Sequence, residues 1–287
     1  MAIQMPITWG WDRVRDAVHT VGSASPEEYW SGAGRAAGAP AIRRIGLADL
    51  RYALARGWDD FGANRSDVIF LCVLYPLVGL LLAWLAAGNR MVPLLFPLAA
   101  GFALVGPLAA VGLNEMSRRR EQEGVTSWVD AFGVLRAPSI GVIALLGLVL
   151  IELFLLWLLA AQAVYDLTLG PEPPASVAAF VRDVFTTGAG WAMIVVGIGV
   201  GFLFALAALM ISVVSFPLLL DRNVGLDVAV GTSVRAVLAN PGTMAVWGLI
   251  VACGLVIGSL PFLLGLAVVL PVLGHATWHL YRRVVPA

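Results

Sequence analysis

A chain of 287 residues that is 60% hydrophobic and only 13% charged, with a mean hydropathy of +0.90, cannot bury its apolar surface in one aqueous core. Lipid has to solvate part of it, which excludes an ordinary soluble domain with about a quarter of its residues charged. Eighteen basic and eighteen acidic residues leave no net charge, which argues against a nucleic-acid partner.

Residues 1–46 read as a polar, Gly/Ala/Ser/Pro-rich cytoplasmic arm, with Trp11, Val14, Val18 and Val21 at helical spacing. No apolar core of the kind a secretory signal needs precedes Asp67. Residues 47–287 read as the membrane domain. It opens on an amphipathic stretch with Leu47, Leu50, Leu54, Trp58 and Phe61 on one helical face and Asp49, Arg56 and Asp60 on the other. Residues 68–87 then form a first span, since about 20 apolar residues at 1.5 Å each cross a hydrocarbon core of roughly 30 Å. The link Gly88–Met91 turns the chain, and 92–113 spans back, loosened by Pro93, Pro97 and Pro107.

A polar segment with Arg118, Arg119, Arg120 and Arg136 follows, and Trp128, Phe132 and Leu135 repeat the amphipathic spacing. Residues 140–164 span, Asp166–Gly188 form an outer loop, and 190–216 span back. Val230, Val234 and Val237 make a third stripe. The apolar run 244–280 would be about 55 Å long as one helix, nearly twice the core thickness. Gly258 and Pro261 therefore divide it into spans 244–258 and 262–280. The expected architecture is all-α, with six transmembrane helices as three hairpin units, each preceded by a cytoplasmic amphipathic helix. The spacing of the three stripes and the arginines after each returning span suggest an internal repeat.

Orientation follows from the arginines, which supply every basic residue in the chain. With both termini in the cytoplasm only Arg90 and Arg182 face outside, as the positive-inside rule requires. The expected location is a bacterial inner membrane.

Particular residues also carry a family resemblance. Gly57–Phe61 (GWDDF), Gly106–Glu121 (GPLAAVGLNEMSRRRE), Ser215–Arg222 (SFPLLLDR), the pair Asn240-Pro241 and Gly274–Arg283 (GHATWHLYRR) resemble the bacterial integral membrane family catalogued as domain of unknown function 2189. The resemblance extends over about residues 45–285. It implies a polytopic inner-membrane protein and supplies no activity.

Few residues are equipped for chemistry. Glu152 is the one ionisable residue deep inside a span and is expected to face other helices. It serves either as an intramembrane proton or cation site or as a neutral packing group. His275 and His279 stand four apart on one helical face. They suit half of a metal site, which Glu115 or Asp221 would have to complete, or an interfacial anchor with Trp278, Tyr281, Arg282 and Arg283. Gly190, Gly197, Gly199 and Gly201 read as a close-packing stripe, and Cys72 and Cys253 as small buried hydrophobes. No nucleotide, nucleophile-elbow or metalloprotease motif is present, and no catalytic residue or cofactor is expected.

These features rank a non-enzymatic scaffold, assembly or envelope-homeostasis component first. A small-solute or proton-coupled transporter or channel using Glu152 comes second, and a metal-binding membrane protein using His275 and His279 third. The expected partners are the lipid bilayer and either another membrane protein or further copies of the chain.

Overall fold

The computed structural model describes residues 40–63, 92–124, 126–261 and 263–286. The expected span 68–87, the link 88–91, Cys72 and nearly all of the N-terminal arm lie outside the described residues.

The apolar runs form helices, and the described residues contain no strand. Helix α1 is Leu47–Ala63. A 3-10 turn, Val92–Leu94, leads into α2, Leu95–Ala109, and α3, Val111–Glu123. A 3-10 helix, Trp128–Arg136, precedes α4, Ile140–Thr168. Then come α5, Val177–Thr186; α6, Gly188–Ser212; α7, Ser215–Asp221; and α8, Leu226–Ala239. Helices α9, Pro241–Ser259, and α10, Leu266–Val284, close the chain.

Four stretches among the described residues are long and apolar enough to cross a membrane: Val92–Glu123, Ile140–Thr168, Gly188–Asp221 and Pro241–Ser259. They contain the expected spans 92–113, 140–164, 190–216 and 244–258. Large apolar side chains on them point outward, among them Leu148, Leu155 and Leu159 on α4, Val195, Ile198 and Phe202 on α6, and Leu249 and Val256 on α9. Lipid is the solvent that suits such surfaces.

The expected break after Gly258 is present, because α9 ends at Ser259 and α10 starts at Leu266. Helix α10 is not among the four apolar stretches. Its second half, from Gly274 to Tyr281, is polar and almost entirely buried. The main core lies at this end, where Leu146, Val214, Phe216, Met244, Trp247, Trp278 and Tyr281 meet. We refer to this end, where α1, α3 and α10 meet the start of α4, as the cap.

Two of the three amphipathic stretches differ from their sequence patterns. Helix α1 buries Leu50, Ala53, Gly57, Asp60 and Phe61, whereas Leu47 and Trp58 are exposed. Small residues account for that rotation. A Cβ at Gly57 would lie 2.7 Å from both the Ala276 nitrogen and the Val272 oxygen, so α1 crosses α10 at backbone contact. The rotation also buries Asp49 and Asp60, which the spacing had placed on the polar side. The second stretch is a 3-10 helix with three residues per turn. Val129, Phe132 and Leu135 therefore share its exposed face. The expected outer loop contains α5, capped by the Ser176 hydroxyl, which accepts from the Ala179 N–H.

Candidate functional site

Helices α1, α3 and α10 converge on one buried carboxylate. Asp60 is 4% exposed, and its Oδ2 accepts hydrogen bonds from Ser117 Oγ at 2.6 Å and His279 Nε2 at 2.8 Å. Its Oδ1 accepts from Arg120 at 2.8 Å. Burial opposes the charge, yet the hydrogen bonds from His279 and Ser117 outweigh it and hold the carboxyl below its ordinary range. The network continues inward, since Ser117 Oγ lies 2.8 Å from His275 Nδ1. The Ser117 proton is already committed to Asp60, so Nδ1 of His275 donates to Ser117. His275 is 1% exposed, and among the described residues neither its Nε2 nor the buried Asn114 Oδ1 has a hydrogen-bond partner.

Two further buried carboxylates are locked in the same region. Glu115 accepts two hydrogen bonds from Arg118, at 2.7 and 2.8 Å, and one from Arg119 at 2.8 Å. Arg119 also reaches Asp130 at 2.9 Å, fastening α3 to the 3-10 helix. Asp49 is met by Arg43 and Arg283, each at 2.6 Å, and by the Gly46 N–H at 2.9 Å. Burial raises the Asp49 pKa, but the Gly46 N–H and the two guanidinium groups more than offset it and lower it on balance. Asn240 completes the closure. Its Oδ1 accepts from the Ile45 N–H at 2.8 Å, and its amide donates to the carbonyls of Arg43 and Ala236. Segment 40–46 is thereby pinned between the C-terminus and the α8–α9 corner.

The sequence-stated candidates separate. His275 and His279 are together and buried, but they face Ser117 and Asp60, not Glu115 or Asp221. Glu115 is occupied by arginines, and Asp221 accepts from Tyr281 at 2.6 Å. Among the described residues no group of three or more His, Cys, Asp or Glu side chains is arranged to hold a metal ion. Glu152 is not packed against the other described helices. Helix α4 buries Ile143, Leu146, Gly147, Leu150 and Trp157, and Glu152 lies on the other side, exposed, with no hydrogen bond or ion pair to a described residue. Cys253 is exposed rather than buried. In the glycine stripe, Gly190 and Gly201 make close contacts, whereas among the described residues nothing lies within 4 Å of the Cβ positions of Gly197 and Gly199.

The pattern reading passed over Asp60, Ser117, Arg120, Asp49 and Asn240. A signal for them was present. GWDDF supplies Asp60, MSRRRE supplies Ser117 and Arg120, and GHATWHLYRR supplies both histidines. The motifs that carry the resemblance thus meet in space.

Among curated proteins and among solved structures, none matches the chain. A family model described as "Predicted integral membrane protein (DUF2189)" matches residues 95–221. The match includes Gly106–Glu121 and all but the last residue of Ser215–Arg222, while GWDDF, Asn240-Pro241 and GHATWHLYRR lie outside it. Over residues 95–221 the chain is similar to this family of predicted integral membrane proteins.

Proposed function

We propose that the protein is a non-enzymatic component of a bacterial inner membrane, acting as a scaffold, assembly or envelope-homeostasis factor. One observation carries this reading: the buried carboxylates Asp49, Asp60 and Glu115 are each tied to arginine or histidine in a closed cap. Polar groups used in this way hold helices together and leave little to bind or convert a solute. In this reading the chain has six spans in three hairpins, with 68–87 and 262–280 joining the four apolar stretches, and both termini in the cytoplasm. The arginines support that orientation. Arg43, Arg118, Arg119, Arg120, Arg222, Arg282 and Arg283 all engage groups of the cap, while Arg182 lies on α5 at the far end.

The test is purification at native abundance after cross-linking in the membrane, together with flux measurements on proteoliposomes. A scaffold gives a stoichiometric protein partner and no proton or cation flux above protein-free vesicles. Flux that disappears in Glu152→Gln would replace this reading with the transporter. The exposed position of Glu152, which has no partner among the described residues, is the observation favouring that second reading.

A further inference from the structure

We infer that α5 is an interfacial helix whose apolar stripe enters the lipid at the membrane surface opposite the cap. Helix α5 has 10 residues, about 15 Å of helix, far too short to span. It joins the far ends of α4 and α6, two of the apolar stretches long enough to cross a membrane. Val177, Val181 and Phe185 fall at i, i+4 and i+8 on one face and are 51%, 48% and 60% exposed. Arg182 flanks the stripe, about 100° round the helix from Val181, with 71% of its side chain exposed. Val184 is buried, and Phe180 packs edge-on against Tyr165 of α4. The stripe is therefore the part of the apolar surface that the protein does not cover.

Three observations identify lipid as what covers it. The stripe continues into the outward apolar face of α6, on which Trp191, Val195, Ile198 and Phe202 are exposed. The two helices are locked together: Trp191 Nε1 donates to the Phe185 carbonyl at 3.2 Å, and the Thr187 hydroxyl caps Gly190. A Cβ at Gly190 would lie 2.3 Å from the Val184 oxygen, so the chain turns sharply there. Finally, Trp191, which is exposed and bonded through its Nε1 to the end of α5, stands at this level. Amphipathic aromatic rings concentrate at membrane–water boundaries, and a short helix with an apolar stripe and a charged face lies in that plane.

Single nitroxide labels at Val177, Val181, Arg182 and Phe185 test this in the full chain lacking Cys72 and Cys253, reconstituted in phosphatidylcholine–phosphatidylglycerol vesicles. Collision with oxygen and with a water-soluble nickel chelate reports depth at each site. At Val177, Val181 and Phe185 the chelate rate is expected to be several-fold below that at Arg182, with oxygen collision high. Equal chelate access at all four sites would place the stripe in water and overturn the inference. Exclusion of both probes from the stripe would also overturn it, because protein would then cover the face. The three stripe positions are separate tests, so the loss of one labelled variant to misfolding leaves the other two.

Discussion

His279 Nε2 lies 2.8 Å from Asp60 Oδ2, although 219 positions separate the two in the chain. The contact joins the first described helix to the last, and Ser117 and Arg120 of α3 complete it. Replacing Asp60 with Ala leaves a histidine, a hydroxyl and a guanidinium to find new partners. The expected loss of stability is about 3 kcal/mol, the low end for breaking a buried pair, because Arg120 reaches solvent. Equilibrium unfolding in detergent measures it, and a change within about 0.5 kcal/mol would deny Asp60 this role.

The cap is expected to respond to acid and not to mild alkali. Asp49 and Asp60 have folded-state pKa values below the ordinary 3.8. Their contribution is therefore complete above the unfolded value and is lost as pH falls through the folded one. Stability should be flat in these two groups from pH 5 upward and decline below about pH 4. A midpoint of unfolding that falls steadily between pH 5 and pH 7 in wild type but not in Asp60→Asn would contradict the assignment.

Asn240 holds segment 40–46 through two hydrogen bonds, accepting from the Ile45 N–H and donating to the Arg43 carbonyl. Asn240→Ala should cost about 1–3 kcal/mol, since it strands buried backbone groups. Hydrogen exchange at Ile45 should accelerate more than exchange within α4. Unchanged protection at Ile45 would mean that Thr243, which donates to the Ile45 carbonyl at 3.0 Å, suffices alone.

Glu152 separates two readings of the protein. Glu152→Leu removes an exposed carboxyl from an apolar helix face, so stability in the membrane should stay equal or rise. If another subunit bonds to Glu152, the same change should reduce oligomer in cross-linking, with Glu152→Gln intermediate. Destabilisation of the monomer by Glu152→Leu would show that the carboxyl is bonded within the chain.

Orientation has a direct check. In a background without Cys72 and Cys253, Asp183→Cys should react with a membrane-impermeant thiol reagent in intact spheroplasts, and Arg235→Cys should not. The reverse pattern would invert the topology.

Much of this architecture was legible in the sequence because hydrocarbon imposes its length on a spanning helix. The runs 92–113, 140–164, 190–216 and 244–258 announce themselves by apolarity alone, and Gly258 with Pro261 marks the turn after the last. The faces of the polar helices were harder to read. Leu47 and Trp58 share the apolar stripe on periodicity, but Gly57 allows α10 to approach at backbone distance and so sets the rotation of α1. Asp60 was read as a solvated charge for the same reason. Its partners lie 57, 60 and 219 positions away, and no local spacing reports such a contact. Glu152 was recognised as unusual, but the side it faces depends on which of its neighbours pack inward.

The most direct test of the scaffold reading is a double-mutant cycle between Asp60 and His279, with Asp60→Asn, His279→Gln and the pair, read as unfolding free energy. A closed structural cap predicts that both single changes destabilise the protein and that they couple by about 1–3 kcal/mol. Additive single changes within about 0.5 kcal/mol on a normally stable protein, with loss of proton flux in proteoliposomes, would contradict it. Asp60 and His279 would then be a proton-handling pair in a transporter.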